Sequence, residues 1–369
     1  MRILIGMPEQ GSRGGSPACE PPFVSELRRL GLDVEEHVYT YADTKVSLAT
    51  RVIRVLKTLH QLNKKLRSAK FDVLHLNTSF DSKALLRDFI TVSLLRRNGT
   101  RIFLKLHGSD AKLLEKRNQF FMFLCRRLFS HAEGIGVLSS EERANFLRVG
   151  VLDRKLFLVS NVVSGNPLAH QRTKSVPDSE AQIPHLLFTG RFIPEKGLVD
   201  VIQACALLRR RGQKFILVCL GDGPARLDAE REVARLGLRE HVRFLGHISE
   251  EDASVFYANG TVLVFPTYHC EGFPMTLFNA AAAGLPIITT RIRAAADYLQ
   301  EPDNCLWAMP RRPTMLADKI IDLLGNTEMR LTMSRNNAQL AARFSRERVT
   351  QKYVEVYQAL VEQGQNRTS

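Results

Sequence analysis

The feature that most limits what this chain can fold into is a rhythm of short apolar runs. Each run is closed by a glycine or polar turn and followed by a stretch of helical periodicity. Ile3-Leu4-Ile5, Val73-Leu74-His75-Leu76, Ile102 to Leu106, Gly134 to Leu138 and Leu156 to Val159 make one series. Leu186-Leu187-Phe188, Phe215 to Val218, Val242-Arg243-Phe244, Val262 to Phe265 and Pro286-Ile287-Ile288 make a second. Between several of these runs, apolar residues recur at helical spacing, as with Leu198, Val201, Ile202, Cys205 and Leu208. Strand–helix alternation predicts parallel sheets covered by helices, an α/β doubly wound class. Ser164 to Pro184 interrupts the rhythm with Pro, Ser, Gln and charge, and reads as a linker. The predicted organisation is a first domain over 1–165, an interdomain segment over 166–184, a second domain over 185–344 and a terminal helix over 345–369.

Two of the glycine turns suit an anion. Gly190-Arg191-Phe192-Ile193-Pro194-Glu195-Lys196-Gly197 follows one apolar run directly. Glu271-Gly272-Phe273-Pro274-Met275-Thr276-Leu277-Phe278-Asn279 leads into an alanine-rich helix and then Gly284-Leu285-Pro286. A helix start offers unpaired N–H groups and the positive end of its dipole. Arg191 and Lys196 add two cations there, enough to hold a diphosphate without a metal. Cations near a turn are usually solvated surface, but their spacing within this loop favours the anion.

Taken in order with Leu220-Gly221-Asp222-Gly223-Pro224 and Val242-Arg243-Phe244-Leu245-Gly246, these loops resemble the C-terminal domain of retaining glycosyltransferases of family 4, the group 1 glycosyl transferases. That family has the GT-B fold, two facing Rossmann-like domains. The resemblance implies a nucleotide-sugar-dependent hexosyltransferase whose second domain binds a nucleotide diphosphate-sugar donor, UDP- or GDP-linked. It implies no metal and no further cofactor. Arg191 and Lys196 would contact the donor diphosphate, and Glu271 the sugar hydroxyls. The backbones of Gly190, Gly272, Phe273, Met275 and Thr276 would bind phosphate and sugar. His107, opening His107-Gly108-Ser109-Asp110, resembles the first-domain histidine that reaches the donor sugar across the cleft. A lone histidine is otherwise most often structural. The loop Gly11 to Ser16, with Gly15, would approach a phosphate through its backbone, although it lacks Gly-x-Gly-x-x-Gly spacing.

Asn279 departs from the family, which has a second glutamate at this position for the ribose hydroxyls. Asparagine keeps a carbonyl acceptor but loses the charge and one methylene of reach. Either ribose is still recognised, in which case Asn279→Glu should tighten donor binding, or the chain is a degenerate, glycosyltransferase-like binding partner. Ile292 to Asp297 departs too, where many relatives have a glycine-rich turn and a glutamate. Retention through a covalent intermediate needs a carboxylate nucleophile, and no convincing carboxylate pair is visible. The family's front-face mechanism, in which the departing phosphate takes the acceptor's proton, needs only positioning and charge stabilisation.

Pro266-Thr267-Tyr268 and His75 to Ser79 look like segments of bacterial surface-polysaccharide transferases. The likeness implies a glycan or polyprenyl-diphosphate-linked acceptor, met at the cytoplasmic face of the membrane. Charge fits that setting. Net charge is +14, and residues 1–185 hold 29 Lys and Arg against 18 Asp and Glu, leaving 23 against 20 for the rest. A basic first half suggests an anionic partner. The stretch Arg51 to Lys70 interleaves seven cations with Val52, Val55, Leu56, Leu59, Leu62 and Leu66, a pattern that suits anionic headgroups or a plain solvated face. No aromatic-interleaved basic platform or helix-turn-helix pattern appears, so nucleic acid is not an expected partner. No run approaches bilayer length and no signal-peptide pattern opens the chain, so a cytoplasmic protein with peripheral membrane contact is expected. The six cysteines show no metal-type spacing and read as reduced thiols.

Overall fold

The computed structural model describes residues 1–11, 15–41, 46–96, 99–109, 113–114, 119–163 and 183–365. The expected interdomain segment therefore lies outside the described residues except for 183–184, as do Ser12 to Gly14 of the first loop. The chain forms two compact units. One comprises Met1–Val162, Cys270–Phe273 and Arg346–Ser369; the other comprises Val163–His269 and Pro274–Ser345.

The first unit is built on six parallel strands in the order β2-β1-β3-β4-β5-β6. They are β1 (Arg2–Pro8), β2 (Asp33–Thr40), β3 (Val73–Phe80), β4 (Arg101–Ser109), β5 (Gly134–Val137) and β6 (Leu156–Leu158). Ile3, Leu4, Leu74, Leu76, Ile102 and Leu104 are wholly buried, as expected for strands covered on both faces. Strand β2 went unforeseen, and its sequence explains why. It is an edge strand reading Asp-Val-Glu-Glu-His-Val-Tyr-Thr, half exposed, with charges that protect the edge from further pairing. The terminal helix Arg346–Gln365 also belongs to this unit, and it buries Tyr353 and Tyr357 against Phe103 at ring distances of 6.1 and 5.8 Å.

The second unit repeats the plan in the order β12-β11-β10-β7-β8-β9. Its strands are β7 (His185–Thr189), β8 (Ile216–Leu220), β9 (Val242–Gly246), β10 (Val262–Phe265), β11 (Ile287–Thr289) and β12 (Cys305–Trp307). Only β12, an edge strand of three residues, was not anticipated. The strand order reverses direction beside β7, whose neighbours are β8 and β10. In open parallel sheets the crevice beyond such a reversal is where ligands bind. The turn Gly190–Gly197 leaves β7, and the Phe265–Pro274 stretch leaves β10, so both glycine-bearing turns start at this switch point. In the first unit the switch lies between β1 and β3, where Gly15 opens the helix Gly15–Arg29.

Candidate functional site

In the second unit the turn after β7 is fixed by backbone bonds to the neighbouring loop. Gly190 N–H donates to Leu220 O (3.0 Å), Phe192 N–H to Asp222 O (2.9 Å) and Ala225 N–H to Phe192 O (2.9 Å). Pro194–Lys196 then form one 3-10 turn, and Gly197 reverses the chain at φ 79° to start the helix Leu198–Arg210. A side chain on Gly197 would meet Pro266 O at 2.8 Å, so glycine is required twice over. The two cations are not equivalent. Arg191 is exposed, whereas Lys196 is only 8% exposed with its ammonium 5.2 Å from the centre of the Phe265 ring. Lys196 is thus a fixed charge on an aromatic platform at the end of β10.

The helix Met275–Ala282 begins at Pro274 with no side-chain cap, leaving its first N–H groups for water or a ligand. Met275 and Thr276 form that first turn, and Thr276 Oγ1 donates to Thr189 O at 3.3 Å. This bond ties the helix start to the end of β7, beside Gly190. The Tyr257 hydroxyl shares hydrogen bonds with Thr189 and Thr276, and burial pushes its phenol up. Gly190, Arg191, Lys196, Met275 and Thr276 are therefore brought to one end of the sheet. Asn279, one turn further along, does not stand alone. Its amide Nδ2 donates to Glu250 Oε2 at 2.7 Å. Desolvation by the surrounding protein raises the Glu250 carboxyl, and the Asn279 bond partly offsets it.

Glu271, Gly272 and Phe273 were read from the sequence as continuous with this helix, but Cys270–Phe273 group with the first unit. The reason is close packing. A Cβ on Gly272 would lie 3.0 Å from Leu138 Cδ1 and 3.2 Å from Glu142 Oε2, so any larger residue would have to push these side chains back. Glu271 is half-buried and Phe273 is buried. Gly108 lies close by, a Cβ there falling 3.9 Å from Gly272 N. Glu142, wholly buried, accepts from Ser109 Oγ (2.7 Å) and from Leu138 N–H (3.0 Å). His107 and the Glu271 loop are thus neighbours within the first unit.

Beneath His107 lies a buried network that sequence reading missed. Glu20 accepts from Lys105 Nζ at 2.6 Å, and both side chains are almost wholly inaccessible, at 0% and 2%. Burial by itself would raise the Glu20 carboxyl, but Lys105 and His107 overrule it and hold it below the ordinary carboxylate range. Burial would likewise lower Lys105, and Glu20, with Tyr353 and Cys19, holds it up instead. Asn77 spends both amide protons, on Gly6 O (3.1 Å) and Glu20 Oε2 (3.0 Å). Its Oδ1, 2.8 Å from His107 Nε2, must therefore accept. This fixes the tautomer: Nε2 of His107 carries the proton and Nδ1 is the basic nitrogen. Burial, then Lys105, lowers the His107 pKa, which favours the neutral ring. The one available signal was Lys105 itself, a charge inside the apolar run Leu104-Lys105-Leu106.

Among the described residues, ligand atoms of Cys19, Glu20 and His107 lie within 4.8 Å of one another. Lys105 already supplies the positive charge this carboxylate needs, and burial pushes the Cys19 thiol up, away from the thiolate a metal requires. The donor set does not suit a cation. All six cysteines are free, and only Cys270 is exposed.

Comparison with known proteins gives the same outline. Residues 171–340 match the family described as glycosyl transferases group 1. An uncharacterized glycosyltransferase of Methanocaldococcus jannaschii is 25% identical over 91% of this chain and 93% of its own length. The N,N'-diacetylbacillosaminyl-diphospho-undecaprenol alpha-1,3-N-acetylgalactosaminyltransferase of Campylobacter jejuni is 23% identical over 92% of this chain and 89% of its own. Among solved structures, Anabaena HepE in complex with UDP and glucose superposes with a TM-score of 0.73 at 18% identity, covering 96% of this chain and 99% of that one. Likeness at that identity establishes the fold, GT-B, with its two Rossmann-like α/β domains.

Proposed function

We propose that this chain, whose residues 171–340 match the glycosyl transferases group 1 family, transfers a hexose from a nucleotide diphosphate-sugar to a glycan or lipid-linked glycan, with retention of anomeric configuration. The observation that carries the proposal is Lys196, a nearly buried ammonium set over Phe265 beside the uncapped helix start at Met275. Two cations and a row of helix N–H groups suit a departing diphosphate, whose charge grows as the glycosidic bond breaks. With that charge supplied by protein, the reaction needs no metal. His107 and Glu271, neighbours in the first unit, are the residues that the family resemblance assigns to the sugar hydroxyls. A front-face mechanism follows, with the leaving phosphate taking the acceptor's proton.

UDP- or GDP-sugars are the donors we favour, and HepE's complex with UDP supports the first. The Campylobacter relative's name carries a diphospho-undecaprenol, which supports a polyprenyl-diphosphate-linked acceptor here. A panel of UDP-, GDP- and ADP-sugars tests the proposal by thermal stabilisation and by release of nucleoside diphosphate. One donor should stabilise the protein and be turned over when a lipid-linked glycan is added. Stabilisation without any turnover would make the chain a silent binder, and no stabilisation by any donor would end the proposal.

Among the described residues no helix is long and apolar enough to cross a membrane. Peripheral contact is favoured instead by the helix Leu48–Ser68, on which Val52, Ile53 and Leu56 are 50, 64 and 58% exposed beside exposed Arg51, Lys57, Lys64 and Arg67. Lys65 is not part of this face, since it pairs with Glu35. Binding to vesicles containing anionic lipid should fall steeply with salt, each cation contributing roughly 1 kcal/mol near such a surface. Replacing Arg51, Lys57, Lys64 and Arg67 with Gln should lower it further. Equal sedimentation with neutral and anionic vesicles would show the face to be merely solvated.

A further inference from the structure

Asn279 appeared from the sequence to be a loss, a neutral residue where the family has a carboxylate. The fold returns a carboxylate to the same place from another element. Glu250 is the first residue of the helix Glu250–Asn259, and its Oε2 receives the Asn279 amide at 2.7 Å. That bond decides how both side chains face. With Nδ2 committed to Glu250, the Asn279 Oδ1 is left as an acceptor, and Glu250 keeps Oε1 as a second one. Acceptor oxygens on two directly bonded side chains, one of them charged, suit a pair of neighbouring hydroxyl donors.

Position says which hydroxyls these are. Asn279 follows Met275 by four residues, about 6 Å along the helix axis from its uncapped start. A nucleoside diphosphate with its phosphates at that start has one vicinal diol, the ribose, within such a distance. Glu250 keeps part of its surface exposed although neighbouring protein partly desolvates its carboxyl, so a ligand can reach it. We infer that Glu250 and Asn279 together seat the ribose diol of the donor, with Glu250 supplying the charged acceptor; this rests on the donor proposal above. Asn279→Glu alone then has the opposite effect from the one the sequence led us to expect. It sets two carboxylates against each other where one amide proton now holds them together, and should weaken nucleotide binding.

The test compares UDP and GDP with their 2',3'-dideoxy counterparts by calorimetric titration. Wild type should bind the better ribonucleotide about tenfold more tightly than its dideoxy form, the scale of a hydrogen bond to a charged group. Glu250→Ala and Glu250→Gln should remove or reduce that preference while leaving dideoxynucleotide affinity unchanged, which also shows that the variants are folded. Asn279→Glu should weaken UDP or GDP, and Asn279→Glu combined with Glu250→Gln should restore the diol preference with charge and amide exchanged. A diol preference that survives Glu250→Ala overturns the inference but leaves the donor proposal standing. A wild type that binds neither nucleotide in either form overturns both.

Discussion

Lys105→Met is expected to destabilise the first unit by about 3–5 kcal/mol, the cost of leaving a buried carboxylate without its partner. Methionine fills the space of the lysine stem, so packing against Phe23 and Tyr353, over whose rings the ammonium now sits at 5.6 and 5.2 Å, is largely kept. What is lost is the charge facing Glu20 at 2.6 Å. The variant can recover by taking up a proton, on Glu20 or on His107 beside it at 3.3 Å. A folded state that holds an extra proton loses stability as pH rises. The deficit relative to wild type should therefore be larger near about pH 8 than near about pH 5.5, across the range where imidazole titrates. In wild type, Glu20 works in the other direction. Its depressed carboxyl stabilises the unit fully above the ordinary carboxylate range and loses that contribution as pH falls below it. Chemical denaturation at the two pH values measures both trends. Lys105→Met with Glu20→Leu should regain much of the loss, because replacing both members of a buried pair is often nearly neutral. A single-variant loss below about 1 kcal/mol would mean that the pair is not buried as described.

Lys196→Ala is expected to remove roughly 2–4 kcal/mol of transition-state stabilisation, as for deletion of one preorganised donor at a developing oxyanion. The side chain is nearly buried and set against Phe265, so its ammonium is held in place before any substrate arrives. Such a charge acts most strongly where negative charge appears during the reaction, and less on the intact donor. Turnover should thus fall far more than affinity for the nucleotide sugar. Arg191, whose side chain is exposed to solvent, should show a smaller effect when replaced with Ala. Steady-state release of nucleoside diphosphate separates the two quantities. Unchanged turnover in Lys196→Ala, with Arg191 intact, would remove the lysine from the mechanism.

Much of this molecule was legible because its signals are local. Runs such as Ile3-Leu4-Ile5 are apolar throughout, since a parallel strand buried on both faces permits little else. The edge strand Asp33–Thr40 was illegible for the converse reason, its exposed face carrying the polar pattern of a loop. The turn Gly190–Gly197 could be read because its glycines, proline and cations all act within eight residues. Chain sequence alone thus determined the class of fold, the two glycine-bearing turns that follow strands of the second series, and the family they resemble. It could not say which distant groups would meet. Glu250 and Asn279 are 29 residues apart, and Glu20 and Lys105 are 85 apart, with nothing in either segment that names its partner. Nor could it show that Glu271 to Phe273 would leave the helix they precede and pack with Leu138 and Glu142. These were decided by tertiary structure, because the strength of a charge pair depends on its separation in space and on the water excluded around it. Neither quantity is written in the order of residues.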